Sequence, residues 1–359
     1  MNLALQKAGT DFQIAGAAAA PLRILMTVDA VGGVWRYAMG LAETLRPLGI
    51  ATVFAGFGPR PKAAQMAEAE ALGELVWLDR PLDWTAADER ALDGVAPALD
   101  ALASDRDVDL LHLNLPSQAA GLRTDRPVLV VSHSCVVTWW ATMRDGPLPP
   151  HWRWQQRLNA EGLVRADTIV APSGSHAAML AHCYGELPGL TVTHNGASLL
   201  PAERRKEPFV LAAGRWWDEG KNAAVLDAAA VASPWPVRLA GSVCGPNGER
   251  TELRNVELLG ELRHADLLDQ MRRAAIVVSP SLYEPFGLAA LEGALSGAAL
   301  ALSDIPTYRE LWSDAALFFD PRDPQALGDA LRGLADDPLL RAEMAARAFT
   351  RSHSYSLRR

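Results

Sequence analysis

Residues 281–297 read SLYEPFGLAALEGALSG, which sets Glu284 and Glu292 eight positions apart, with Pro285, Phe286 and Gly287 directly after the first. A carboxylate just outside a helix start can accept hydrogen bonds from hydroxyls. Proline suits a first helical turn, where an N–H has no partner in any case. The N–H groups of Phe286, Gly287 and Leu288 are then expected to face an anion or sugar oxygens. Glu292 follows about 10 Å further on at ~1.5 Å per residue. One nucleotide sugar spans that distance: sugar at Glu284, phosphates at the helix start, ribose hydroxyls at Glu292. The competing account makes Glu284 a complement to the helix dipole and Glu292 an exposed helix residue. It suits Glu284 but not Glu292, whose neighbours Leu288, Leu291 and Leu295 are apolar.

Three further stretches carry groups of the right kind. AAGRWWDEGKN (212–222) places Arg215 and Lys221 six apart at an expected helix start. A guanidinium fork beside an ammonium point charge makes a diphosphate clamp, and two cations there oppose the macrodipole unless an anion joins them. Surface ion pairs with Asp218 and Glu219 are the alternative. VVSHSCVVTWW (130–140) puts His133 at a strand end, the edge at which open parallel sheets bind ligands; a purely structural histidine is the alternative. DAVGGVWRY (29–37) offers Gly32 and Gly33, which admit a ligand close to the backbone at a helix N-terminus; a plain tight strand-to-helix turn is the alternative. The dinucleotide fingerprint GxGxxG is absent, which argues against a nicotinamide dehydrogenase.

Other signals point to structure. Trp139, Trp140, Trp152 and Trp154 either wall an acceptor site or are buried domain packing, and packing is preferred. Asn195-Gly196 and the turn at 303–307 are expected at a cleft rim. Asp105, Asp107 and Asp109 in DRDVDLL imitate a metal-binding DxD but lead into a buried strand. With no cluster of ligand spacing elsewhere, neither a metal nor a cofactor is expected.

The elements that must position these groups alternate. LRILMTV, ATVFAGF, ELVWL, DLLHLNL, PVLVVSH, TIVAPS and LTVTHN read as strands, most of them separated by helical or loop segments. A break at LLPAERRKEP follows, and then FVLAAG, PVRLAG, VELLG, AAIVVSP, AALALS and ALFFD restart the pattern. Strands alternating with helices imply a doubly wound parallel sheet, here twice, so the fold class is α/β with two such domains facing across a cleft. The expected division is an N-terminal extension over 1–20, a first domain over 21–203 and a second over 204–359.

The 359 residues suit about two domains. With 49% hydrophobic and 21% charged residues the chain is of globular composition. A formal charge of -8 supplies no global field for nucleic acid. Three scattered cysteines fit a reducing cytoplasm. No apolar run approaches the ~18 residues that span a bilayer, and the alanine-rich start lacks the basic leader of a signal peptide.

Together these residues resemble the retaining glycosyltransferases of family 4, with the two-domain GT-B fold. The likeness runs from about Leu22 to the C-terminus and is strongest in FVLAAGRWWDEGKN, NVELLG, AAIVVSPSLYEPFGLAALEGALSG and DIPTYRELW. It implies a hexose transferred from a nucleotide diphosphate sugar to a hydroxyl acceptor, as in polysaccharide biosynthesis, by front-face displacement without metal. By the same resemblance Arg215 and Lys221 hold the diphosphate, and Glu284 and His133 meet the donor sugar. Phe286, Gly287 and Leu288 offer backbone to sugar and phosphate, Glu292 takes the ribose, and Gly32-Gly33 faces the phosphates from the other domain. A sugar-nucleotide epimerase and a non-catalytic nucleotide-sugar binder are the alternatives. Donor base, donor sugar, acceptor and oligomeric state are not implied; a lipid-linked acceptor would bring the protein to the inner membrane face. Two departures stand out. Asn114 occupies a position where the family often has a second histidine. The chain stops at Arg359, where family members generally continue into a helix crossing back onto the first domain, and weaker interdomain support is expected if the chain is a truncation.

Overall fold

The computed structural model describes residues 21–198 and 205–357. The expected extension over 1–20, and residues 199–204 of the expected linker, lie outside the described residues.

Seven strands form the first sheet: β1 (Arg23–Asp29), β2 (Ala51–Phe57), β3 (Glu74–Trp77), β4 (Leu110–Leu113), β5 (Val128–Val131), β6 (Thr168–Ala171) and β7 (Leu190–Val192). Six form the second: β8 (Glu207–Ala213), β9 (Val237–Ala240), β10 (Glu257–Gly260), β11 (Ala274–Ser279), β12 (Ala299–Ser303) and β13 (Leu317–Phe319). The orders are β3-β2-β1-β4-β5-β6-β7 and β10-β9-β8-β11-β12-β13, with every pairing parallel. Each sheet therefore reverses its strand order beside its first strand, and the crevice at such a switch point is where open sheets take ligands.

Helices α1 (Gly33–Leu45), α2 (Ala63–Leu72), α3 (Val95–Asp105), α4 (Val136–Met143), α5 (Arg153–Arg165) and α6 (Gly174–Tyr184) belong to the first half. The second half carries α7 (Ala223–Ala230), α8 (His264–Arg273), α9 (Leu288–Leu295), α10 (Pro306–Trp312), α11 (Pro324–Asp336) and α12 (Pro338–Ser352). Both sheets are covered on both faces, which explains their unbroken apolar strands. Alternate residues of β8 and β11 show the division. Phe209, Leu211 and Val277 enter one core, while Val210, Ala212, Ile276 and Val278 enter the other.

One boundary differs from expectation. Helix α9 begins at Leu288, so Pro285 and Phe286 belong to the preceding loop and not to the first turn. The cause is Gly287, its N-cap, held at φ 94. A Cβ there would stand 2.7 Å from Tyr308 Cε1, so only glycine suits this turn.

The halves meet through polar contacts between strand-end loops. Thr138 Oγ1 and Tyr283 OH are 2.8 Å apart, and Ser173 Oγ donates to the Pro285 carbonyl at 2.7 Å. Glu310 of α10 accepts from the Gly174 and Ser175 N–H groups at 2.8 and 2.7 Å, closing the N-terminus of α6 from across the cleft. Arg144 pairs with Glu219 at 2.5 Å, and Lys62 pairs with Glu261. Residues 355–357 also reach back to the first half. Ala197 N donates to the Tyr355 carbonyl at 3.2 Å, and Leu357 packs so closely on α1 that a Cβ at Gly40 would meet it at 2.9 Å.

Candidate active site

The loops after β8 and β11 build the second-domain wall. Lys221 ends a single 3-10 turn over Glu219–Lys221, and Asn222 follows at φ 58, pinned by Nδ2 donation to the Pro280 and Pro321 carbonyls at 2.9 and 2.7 Å. The Gly220 carbonyl accepts from Leu282 N at 2.9 Å, tying this turn to the loop that carries Glu284. Lys221 Nζ consequently lies 2.5 Å from Glu284 Oε2, with both side chains largely buried at 17% and 14% exposure. Ser281 Oγ donates to the same oxygen at 3.4 Å. The two expected donor groups are thus one ion pair.

Arg215 answers to both accounts given for it. Its Nη2 lies 3.0 Å from Asp218 Oδ2, the ion pair anticipated as the alternative to a clamp. Yet it also crosses the cleft, for a Cβ on Gly32 would lie 2.9 Å from its Nη1. Asp29 at the end of β1 feels the same guanidinium: burial raises its carboxyl above the usual range, against the lowering effects of the Val31 N–H and Arg215. A Cβ on Gly33 would lie 3.8 Å from Leu288 Cδ1. The glycine turn of one domain is therefore set against Arg215 and the start of α9 in the other.

In α9 the N–H groups of Leu288, Ala289 and Ala290 have no intrahelical carbonyl to reach. Phe286 contributes its backbone to the loop, while its ring is buried at 3% exposure beside Tyr355. Glu292 is 8% exposed, against the picture of a solvated helix residue. Its Oε1 accepts from His264 Nε2 at 2.8 Å.

His133 follows β5 in the opposite wall. Burial, with the nearby His112 and His176, pushes its pKa down to about 3. Asn114 sets its tautomer: the Asn114 Nδ2 donates to the Thr27 carbonyl at 2.6 Å, which turns Oδ1 toward His133 Nε2 at 3.0 Å. An amide oxygen only accepts, so Nε2 carries the proton and Nδ1 keeps its lone pair. Tyr37 packs edge-on against the same ring at 4.5 Å and bonds His112 Nε2 at 3.2 Å. Of the tryptophans, Trp139 donates to Asp218 Oδ1 across the cleft at 3.3 Å, while Trp140 and Trp152 pack edge to face. Asp109 accepts from Arg23 N at 2.7 Å, as an acid at a strand entry does.

Sequence reasoning passed over His264, Asp29, Ser281 and Tyr308. Only the aspartate, standing at the end of β1 just before the glycine turn, carried a positional signal. Among the described residues no helix is long and apolar enough to cross a membrane.

Two parallel-sheet domains whose strand-end loops gather cations, carboxylates and a helix N-terminus in one cleft define the GT-B class of sugar-transferring enzymes. The model of glycosyltransferase family 4 matches residues 31–199, and that of glycosyl transferases group 1 matches residues 204–351. The chain belongs to this family and is a glycosyltransferase. It is 26% identical to a phosphatidyl-myo-inositol mannosyltransferase of Mycolicibacterium smegmatis over 361 aligned residues, covering 91% of this chain and 87% of that one. A 98-residue stretch is 41% identical to a glycogen synthase of Mycobacterium tuberculosis, covering 27% of this chain and 23% of that one. In fold it resembles a sucrose-phosphate synthase from Thermosynechococcus elongatus, with a TM-score of 0.74, 19% identity and coverage of 93% and 94%. It likewise resembles the HepE protein of Anabaena in complex with UDP and glucose, with a TM-score of 0.73, 16% identity and coverage of 94% and 96%.

Proposed function

We propose that the protein moves a hexose from a nucleotide diphosphate sugar to a hydroxyl acceptor with retention of anomeric configuration and without a metal or other cofactor. The observation that carries this is the convergence of Arg215, the Lys221–Glu284 pair and the open first turn of α9 on one side of the cleft. Arg215, Lys221 and the N–H groups at Leu288 neutralise the leaving diphosphate, the task a metal performs elsewhere. Glu284 accepts from donor-sugar hydroxyls while Lys221 keeps its other N–H groups for phosphate. Glu292 accepts from the ribose. His133, neutral and with Nδ1 free to accept, takes a further sugar hydroxyl. The leaving phosphate oxygen receives the acceptor proton, so no protein carboxylate acts as nucleophile. The glycine turn lets phosphates lie against backbone from the first domain.

The relative acting on phosphatidyl-myo-inositol supports a glycan or lipid-linked acceptor, the latter with peripheral contact at the inner membrane face. Three unpaired cysteines support work in the cytoplasm, and no nucleic-acid partner is proposed.

The test is incubation with UDP-, GDP- and ADP-hexoses and a panel of hydroxyl acceptors, with NMR of the products. Release of nucleoside diphosphate with an α-linked product from an α-linked donor is expected. An inverted linkage, or an isomerised donor with no transfer, overturns the proposal.

A further inference from the structure

Glu292 sits in an apolar helix at 8% exposure, and a buried carboxylate needs a partner. That partner comes from neither its own helix nor the diphosphate clamp. His264 is the first residue of α8, directly after the loop that follows β10, and it reaches across to α9 to bond Glu292 Oε1 at 2.8 Å. A glutamate side chain has three rotatable bonds, and tethering one oxygen removes most of that freedom before a ligand arrives.

We propose that His264 is a positioning residue: by holding Glu292 Oε1 it aims Oε2 at the ribose hydroxyls and so sets the preference for ribonucleotide over deoxyribonucleotide donors. This rests on the donor-site assignment above. Fixing one oxygen leaves the other in a defined place, so the carboxylate meets the hydroxyl pair without first losing rotamer freedom. His264 also lies within electrostatic reach of Glu68 on α2. Glu68 is itself held by Trp35 Nε1 at 3.0 Å and by Arg36. The imidazole therefore stands between a carboxylate of each domain.

The experiment is calorimetric titration of UDP, GDP and ADP, each beside its 2′,3′-dideoxy counterpart, into wild type, Glu292→Ala, His264→Ala and His264→Gln. Wild type is expected to prefer the ribose form of the diphosphate it binds, and Glu292→Ala to erase that preference. His264→Ala should weaken the ribose form about tenfold, the equivalent of ~1.4 kcal/mol, and leave the dideoxy form unchanged. His264→Gln, which keeps a donor at the site, should recover part of the loss. Equal weakening of both ligands in both His264 variants would mark a merely structural residue and overturn the inference. So would a full ribose preference in His264→Ala while Glu292→Ala lacks one. Wild type that binds a diphosphate without preferring ribose instead refutes the assignment of Glu292, and wild type that binds none refutes the donor site; either takes this inference with it.

Discussion

Lys221 and Glu284, 63 residues apart in sequence, form an ion pair of 2.5 Å inside the cleft. Neither side chain is exposed beyond 17%, so each depends on the other for compensation of its charge. Removing one partner of such a buried pair costs about 3 kcal/mol. Lys221→Ala should therefore lower the melting temperature, and Lys221→Ala/Glu284→Ala should lose less than the sum of the single variants. Activity should fall on the order of 10²-fold or more in each, as for other losses of charge stabilisation at a leaving group. Additive losses in melting temperature would show that the two side chains do not interact.

Gly32 and Gly287 separate a clearance effect from a conformational one. Gly32 has φ -153, extended backbone that any residue adopts, but an added Cβ meets the flexible end of Arg215 at 2.9 Å. Gly32→Ala should leave the melting temperature almost unchanged while sharply raising the KM for the donor. Gly287→Ala combines left-handed backbone at φ 94 with a 2.7 Å approach to Tyr308. It should destabilise by about 2 kcal/mol or more, measured by urea unfolding. Equal effects in both assays would refute the distinction.

Asn114→Asp places a carboxylate beside His133 and raises the imidazole pKa from its depressed value. From about 3 a neighbouring carboxylate brings that pKa up by roughly one to three pH units; protonation then removes the Nδ1 lone pair, so the variant should lose activity below about pH 6 that wild type keeps, and regain it as pH rises. Asn114→Ala should lose activity without that slope. Rate profiles between about pH 4 and 7 distinguish them, and parallel profiles would exclude a role through the tautomer.

Burial also depresses His112 and His176, each to about 4. In the unfolded chain both titrate near ~6.5. Between those values the unfolded state holds more protons, so stability is full above ~6.5 and falls with decreasing pH, by about 1.4 kcal/mol per pH unit for each histidine. Thermal melts from neutral pH down to ~5 should show this slope, and His176→Gln should flatten it. A melting temperature indifferent to pH would exclude these histidines as the source.

The sheets were legible because parallel strands covered on both faces read as unbroken apolar runs, and AAIVVSP and AALALS became β11 and β12. Type and spacing singled out Arg215, Lys221, Glu284 and Glu292, and the structure sets Arg215, Lys221 and Glu284 on strand-end loops of the second half and Glu292 on α9. What spacing could not supply was pairing across the fold. The start of α9 was misplaced because the left-handed turn at Gly287, where Tyr308, some twenty residues on, leaves no room for a Cβ, is not visible in the local pattern. His264 was invisible because nothing local links it to Glu292. Asn114 looked like a departure, whereas its amide, turned by Thr27, orients His133.

The contacts joining the two halves have a consequence for how the cleft works. Glu310 on the α6 N–H groups, Arg144 with Glu219 and Lys62 with Glu261 are charged, whereas each sheet is held by its own apolar core. Salt screens the first kind of attachment over a Debye length of about 8 Å at physiological strength and leaves the second almost untouched. The molecule can therefore part along its middle and reseal while both halves stay folded, like a purse closed by a clasp and not by a seam. Parting the halves means loosening these ion pairs together with the Thr138–Tyr283 and Ser173–Pro285 hydrogen bonds and the Leu357 contact on α1, while neither core is opened.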